Sequence, residues 1–138
     1  MYGCKKEEPP IVKVDETTYD EQGFAIDIRM ENPAYEEHTK GIMMFSHKKH
    51  FEEYKIGCGE CHHDENNEPL ELKIGDPIQG CIECHTIPGK WVKDSGKDKL
   101  DYHADAIHQN CKECHTTYNK ENNTRAAPTT CVKCHPRK

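Results

Sequence analysis

A chain of 138 residues, 33% of them hydrophobic and 32% charged, is one domain or one domain with a tail. So polar a composition excludes an ordinary apolar core and, without another source of burial, leans towards disorder. The net charge of −6 is unevenly spread, with 10 acids against 5 bases in residues 1–40 and 15 against 14 in residues 41–138. No transmembrane run and no signal peptide are visible.

In chain order, residues 1–40 read as an acidic N-terminal extension and residues 41–138 as the functional domain. The first ten residues are a polar tail ending in Pro9-Pro10, a linker signal. Ile11–Val14 and Phe24–Ile28 alternate as two short strands, which predicts a small hairpin turning through Glu21-Gln22-Gly23. Asn32-Pro33 breaks any regular run. Gly41–Phe45 is a short apolar segment that leads into His47 and His50. These two histidines are three apart, so on a helical turn they share a face at different heights and suit two neighbouring sites. Asp98–His115 lacks Pro and Gly and carries Leu100, Ala104 and Ile107 at helical spacing, which predicts a helix there. Residues 66–80 and 116–130 are rich in Gly, Pro and Asn and read as loops.

One motif recurs four times: Cys58-Gly-Glu-Cys61-His62, Cys81-Ile-Glu-Cys84-His85, Cys111-Lys-Glu-Cys114-His115 and Cys131-Val-Lys-Cys134-His135. Cys-x-x-Cys-His is the attachment signature of c-type haem. Each cysteine adds to a haem vinyl group, and the histidine that follows is placed to bind the iron. Four pairs could instead build two zinc sites of four thiolates, but zinc requires no histidine after the second cysteine. Histidine is 10 of 138 residues, so four such coincidences have a probability on the order of 10⁻⁵. The βαβ pattern of a thioredoxin-like redox site is not visible, and four repeated close pairs make an unusual disulfide framework. The reading is four covalent haems, whose rings supply most of the core, with an apo-chain that is largely unfolded.

Four irons have eight axial positions. His62, His85, His115 and His135 take the proximal ones, and His38, His47, His50, His63, His103 and His108 remain for the four distal ones. His62 and His63 are adjacent and point apart, so they cannot serve the same iron. Met43 and Met44 read as packing residues rather than ligands, since histidines are abundant. Six-coordinate iron has no position open to substrate, which favours electron transfer over bond-making.

Phe45-Ser46-His47-x-x-His50, then Cys58-x-x-Cys61-His62-His63, then three further haem motifs, resembles the tetrahaem class III cytochromes c, the cytochrome c3-like family. The resemblance covers about residues 42–138. It implies a fold of mostly loops, a few short helices and the small N-terminal hairpin, wrapped around four haems. It further implies that His47 caps the first haem, His63 the second and His50 the third. In the family the fourth haem's ligand lies just before the third motif in a Tyr-His context like Tyr102-His103. Here His108 is the better placed by position, and His103 stays open as the alternative. His38 reads as a solvent-facing extra.

The resemblance implies a periplasmic, low-potential carrier, not an enzyme. It would pass electrons between a dehydrogenase, a hydrogenase or another cytochrome and a membrane redox complex in anaerobic respiration, as in sulfate reduction. Two other readings are a reductase with one open haem and a lipid-anchored or conductive cytochrome subunit. The chain departs from well-known members in its longer acidic extension, its uniform two-residue motif gap and its acidic balance, which weakens the expectation of a direct hydrogenase partner. Local charge keeps that partner open, because Lys120, Arg125, Lys133, Arg137 and Lys138 face only Glu121 around the fourth motif. Nucleic acid is not expected, since the haem motifs account for this cluster. Covalent haem implies export, so the chain is expected to be a mature or trimmed form. Gly3-Cys4-Lys5-Lys6 resembles the end of a lipoprotein signal, and Cys4 reads either as a lipidated residue that would tether the protein to a membrane or as an unpaired tail thiol.

Overall fold

The computed structural model describes residues 16–138. The predicted strand Ile11–Val14 and Cys4 lie outside the described residues. The elements are few and short: β1 (Ile28–Arg29), β2 (Met44–Phe45), α1 (His47–Glu52), α2 (Cys81–Cys84), α3 (His103–Glu121) and α4 (Cys131–Cys134). Single 3₁₀ turns at Cys58–Glu60 and Lys99–Asp101 complete them. β1 and β2 form an antiparallel pair with Ile28 opposite Phe45 and Arg29 opposite Met44. Thus the second arm of the sheet is the apolar segment Gly41–Phe45, a partner the alternation of Phe24–Ile28 could not identify.

The turn expected at Glu21-Gln22-Gly23 does form, closed by Thr17–Asp20 on its first side. Thr18 N–H donates to Asp27 O at 2.9 Å, Ile26 N–H donates to Thr18 O at 2.8 Å, and Tyr19 bridges Ala25. Gly23 supplies the positive φ of 77° that the turn needs, and Asp20 Oδ1 accepts the N–H groups of Gln22 and Phe24. Lys48 Nζ reaches Asp20 Oδ2 at 3.0 Å, so this turn is pinned to α1. The Lys48 ammonium, and then the Phe24 N–H, hold the Asp20 carboxyl below the usual carboxylate range. Stability from such a depressed group is full above its unfolded value of about 3.9 and is lost as pH falls through the folded pKa. Acid titration is therefore expected to shift the Gln22 and Phe24 amide resonances with a midpoint below the ordinary aspartate value of about 3.9. A midpoint at or above that value would place the acid-sensitive contact elsewhere.

The predicted helix over Asp98–His115 divides in two. Asp98 and Asp101 cap each other's backbone in the 3₁₀ turn, and Tyr102 is extended before α3 begins. Extended Tyr102 makes a parallel bridge with Ile87, and its neighbour His103 donates its N–H to Ile87 O at 2.8 Å. At its other end α3 runs on to Glu121, into residues read as loop. Thr116–Glu121 contains neither Gly nor Pro, and the helix stops at Asn122-Asn123, where Asn123 has a φ of 47°.

Among the described residues only Tyr102 and His103 are buried, at 6% and 8% exposure, and no side chain is fully enclosed. Trp91, Val92 and Val132 are exposed. The described residues by themselves have almost no apolar interior, in keeping with the composition.

Candidate functional site

Each Cys-x-x-Cys-His motif is one helical turn. In three copies the histidine N–H bonds the first cysteine's carbonyl at 2.8 Å: His62 to Cys58, His85 to Cys81 and His135 to Cys131. The third copy is embedded in α3. Cysteine, cysteine and histidine therefore stand at i, i+3 and i+4, one face of a turn, so both sulfurs and the imidazole can meet one ring edge. No disulfide joins any two of the eight motif cysteines, which leaves every one of these sulfurs for attachment. Burial pushes Cys61, Cys81 and Cys134 up from the usual thiol range and Cys111 to about 11. Among the described residues no three His, Cys, Asp or Glu side chains gather as a metal-binding group.

The histidines come together in four pairs. Ring centroids are 6.4 Å apart for His47 and His62, 6.1 Å for His63 and His85, 6.3 Å for His50 and His115, and 6.2 Å for His108 and His135. Two imidazoles bound to opposite sides of one metal, with bonds of about 2.0 Å and rings of about 1.1 Å radius, have centroids roughly 6.2 Å apart. Each pair joins one motif histidine to one histidine from outside that motif. His103 is not part of any of these pairs. Its Nδ1 is 2.8 Å from Tyr35 Oη, and Tyr35 in turn stacks on His38 at 4.9 Å.

Backbone carbonyls orient six of the eight paired rings. Nδ1–H of His47 donates to Ala25 O at 2.8 Å, His50 to Ser46 O at 2.7 Å, and His63 to Asp64 O at 2.7 Å. His115 donates to Pro128 O at 2.6 Å, His135 to Gly41 O at 2.8 Å, and His85 to Leu100 O. A carbonyl oxygen only accepts, so the proton must sit on Nδ1 and the Nε2 lone pair is left for a metal. His108 differs: its Nδ1 is buried and has no aligned partner, although Ala104 O lies near enough to raise its basicity. Burial, the largest influence, holds both His62 and His108 below the ordinary histidine range, so these rings stay neutral, the form that ligates. Phe24 lies against His47 at 4.8 Å and Phe45 against His50 at 4.7 Å, which fixes the two rings that α1 presents.

Most of these orienting groups left no mark in the sequence. A carbonyl is common to every residue, so nothing singled out Ala25, Gly41 or Pro128. Tyr35 had no motif around it. No helix among the described residues is long and apolar enough to cross a membrane.

No curated protein matches the chain. A family model described as class III cytochrome C family matches residues 25–135, which span β1, all four motifs and all eight paired histidines. The fit of the paired imidazoles to an iron between them agrees with that match. The chain belongs to the class III cytochrome c family, and is thereby a multihaem electron-transfer protein with covalently bound haem c.

Proposed function

We propose that the protein is a periplasmic, low-potential electron carrier holding four haems, each between two histidines. The observation that carries this is the set of four imidazole pairs at 6.1–6.4 Å. Cys58 and Cys61 would attach the first haem between His62 and His47, and Cys81 and Cys84 the second between His85 and His63. Cys111 and Cys114 would attach the third between His115 and His50, and Cys131 and Cys134 the fourth between His135 and His108. Residues 41–138 supply all these ligands, and residues 25–40 brace them through Ala25 O and β1.

Haem, when bound, supplies a one-electron couple. The chain's residues determine how that couple is used. Each histidine pair would hold an iron from both sides, which would exclude small molecules and leave electron transfer as the chemistry available. Carbonyls on Nδ1 make the rings stronger donors and hold their planes, which favours the oxidised metal and lowers the potential. The exposed apolar side chains and the scarcity of buried ones suit a wrapper around four porphyrin rings.

Lys90 and Lys112 act on His108, and Lys112 also acts on Cys134. Lys133 lies within the fourth motif and Arg137 and Lys138 follow it, Lys138 being paired with Glu37 at 3.4 Å, so the fourth haem would have a basic neighbourhood suited to an acidic redox partner such as another cytochrome, a dehydrogenase or hydrogenase, or a membrane redox complex. Exchange with such a partner is expected to slow steeply with salt, since steering falls off beyond a Debye length of about 8 Å at 0.15 M. A rate unchanged between low and high salt would remove this docking surface.

The direct test is the optical spectrum of the purified ferric and ferrous protein with and without carbon monoxide, scaled to haem per chain. Four low-spin haems per chain that ignore the gas are expected. A high-spin band with one haem binding carbon monoxide would replace the carrier by a protein with an open site.

A further inference from the structure

Gly41 stands 94 residues from His135 in sequence, yet its carbonyl receives the His135 Nδ1–H at 2.8 Å. The approach is unusually close. A Cβ on Gly41 would collide with the Pro136 carbonyl oxygen, far inside van der Waals contact, and would lie 2.8 Å from its carbon and 3.1 Å from the ring Cγ. The obstacle is backbone, which cannot swing aside as a side-chain tip can. The φ of Gly41 is not among the positive ones, so conformational freedom is not what the position requires. What it requires is the absence of a side chain.

We infer that Gly41 is a positioning residue of the fourth haem: its missing side chain lets the 41–42 backbone lie against Pro136 and deliver a carbonyl to His135. This rests on His135 being an axial ligand of that haem. The carbonyl fixes the Nδ1 tautomer and the ring plane, and it strengthens Nε2 as a donor to the oxidised metal. Any side chain at 41 must push the two segments apart and release the ring. The effect is local, because the other oriented rings take their carbonyls from Ala25, Ser46, Asp64, Leu100 and Pro128.

The experiment compares holo-protein of wild type, Gly41→Ala, Gly57→Ala and His135→Ala by potentiometric titration and low-temperature electron paramagnetic resonance. Gly57 serves as control, since a Cβ there meets nothing within 4 Å. In Gly41→Ala one midpoint is expected to rise by a tenfold change in ferric-over-ferrous preference, about 59 mV for one electron, with one low-spin signal shifted and the other three haems unmoved. If loading is impaired instead, loss confined to one haem per chain supports the inference. All four haems unchanged, all four shifted together, or all four lost would overturn it. His135→Ala separates the two ideas: if it perturbs no haem, the ligand assignment fails, and if it perturbs one while Gly41→Ala leaves that haem alone, only the role of Gly41 fails.

Discussion

His108→Ala is expected to open one haem per chain to carbon monoxide, whereas His103→Ala is expected to open none. The sequence left both histidines as candidates for the fourth haem. In the structure His108 is opposite His135, 6.2 Å between centroids, whereas His103 is held by Tyr35. Loss of the His108 ring therefore leaves His135 as the lone axial donor and should give a high-spin band of about one quarter of the haem absorbance, with the fourth midpoint raised. His103→Ala should keep four low-spin spectra and act on stability alone. It deletes a bond to half-exposed Tyr35 from one of the two buried residues among those described, a loss of about 0.5–1.5 kcal/mol. The reverse pattern, carbon monoxide binding only in His103→Ala, would reassign the ligand. The same spectra on Tyr35→Phe should resemble His103→Ala.

The second large effect concerns folding without haem. A chain with all eight motif cysteines changed to serine is expected to show no cooperative thermal transition and to lose most of its far-ultraviolet helix signal. Ordering the backbone costs about 1–2 kcal/mol per residue, and apolar burial is the term that offsets it. Here only Tyr102 and His103 are buried among the described residues. α1, α2 and α4 are six, four and four residues long, far below the roughly 12–15 at which an isolated helix becomes even marginal. Among the described residues only α3, with 19 residues, could leave residual signal. A sharp transition and a native-like spectrum in the serine variant would show that the polypeptide folds by itself.

The features legible in the sequence are those in which side-chain identity is repeated at fixed spacing. Four motifs announce themselves, and i, i+3, i+4 geometry follows from any helical turn. The proposed distal partners His47, His50 and His63 came from the resemblance, not from spacing alone, because nothing in a linear pattern says which turn faces which. β1 was visible in part as the end of an alternating run, but its partner was not. Met44-Phe45 looked like a packing segment, and two-residue strands carry too little period to distinguish a strand from a loop. The end of α3 was missed because Thr, Asn and Tyr are weak helix formers, whereas the ladder already running from His103 carries them. The carbonyls that orient the imidazoles were illegible on principle, since backbone has no letter.

α3 carries His108 and His115 on one unbroken helix, and these rings belong to different pairs. Seven residues at 1.5 Å rise set them about 10.5 Å apart along the axis, two turns on the same side. The helix is thus a ruler. Between the proposed third and fourth centres the separation would be set by this hydrogen-bonded rod, and between the first and second by the covalent neighbours His62 and His63. Tunnelling rates fall steeply with distance, so a rod that fixes the spacing should keep the hop along α3 nearly constant from molecule to molecule.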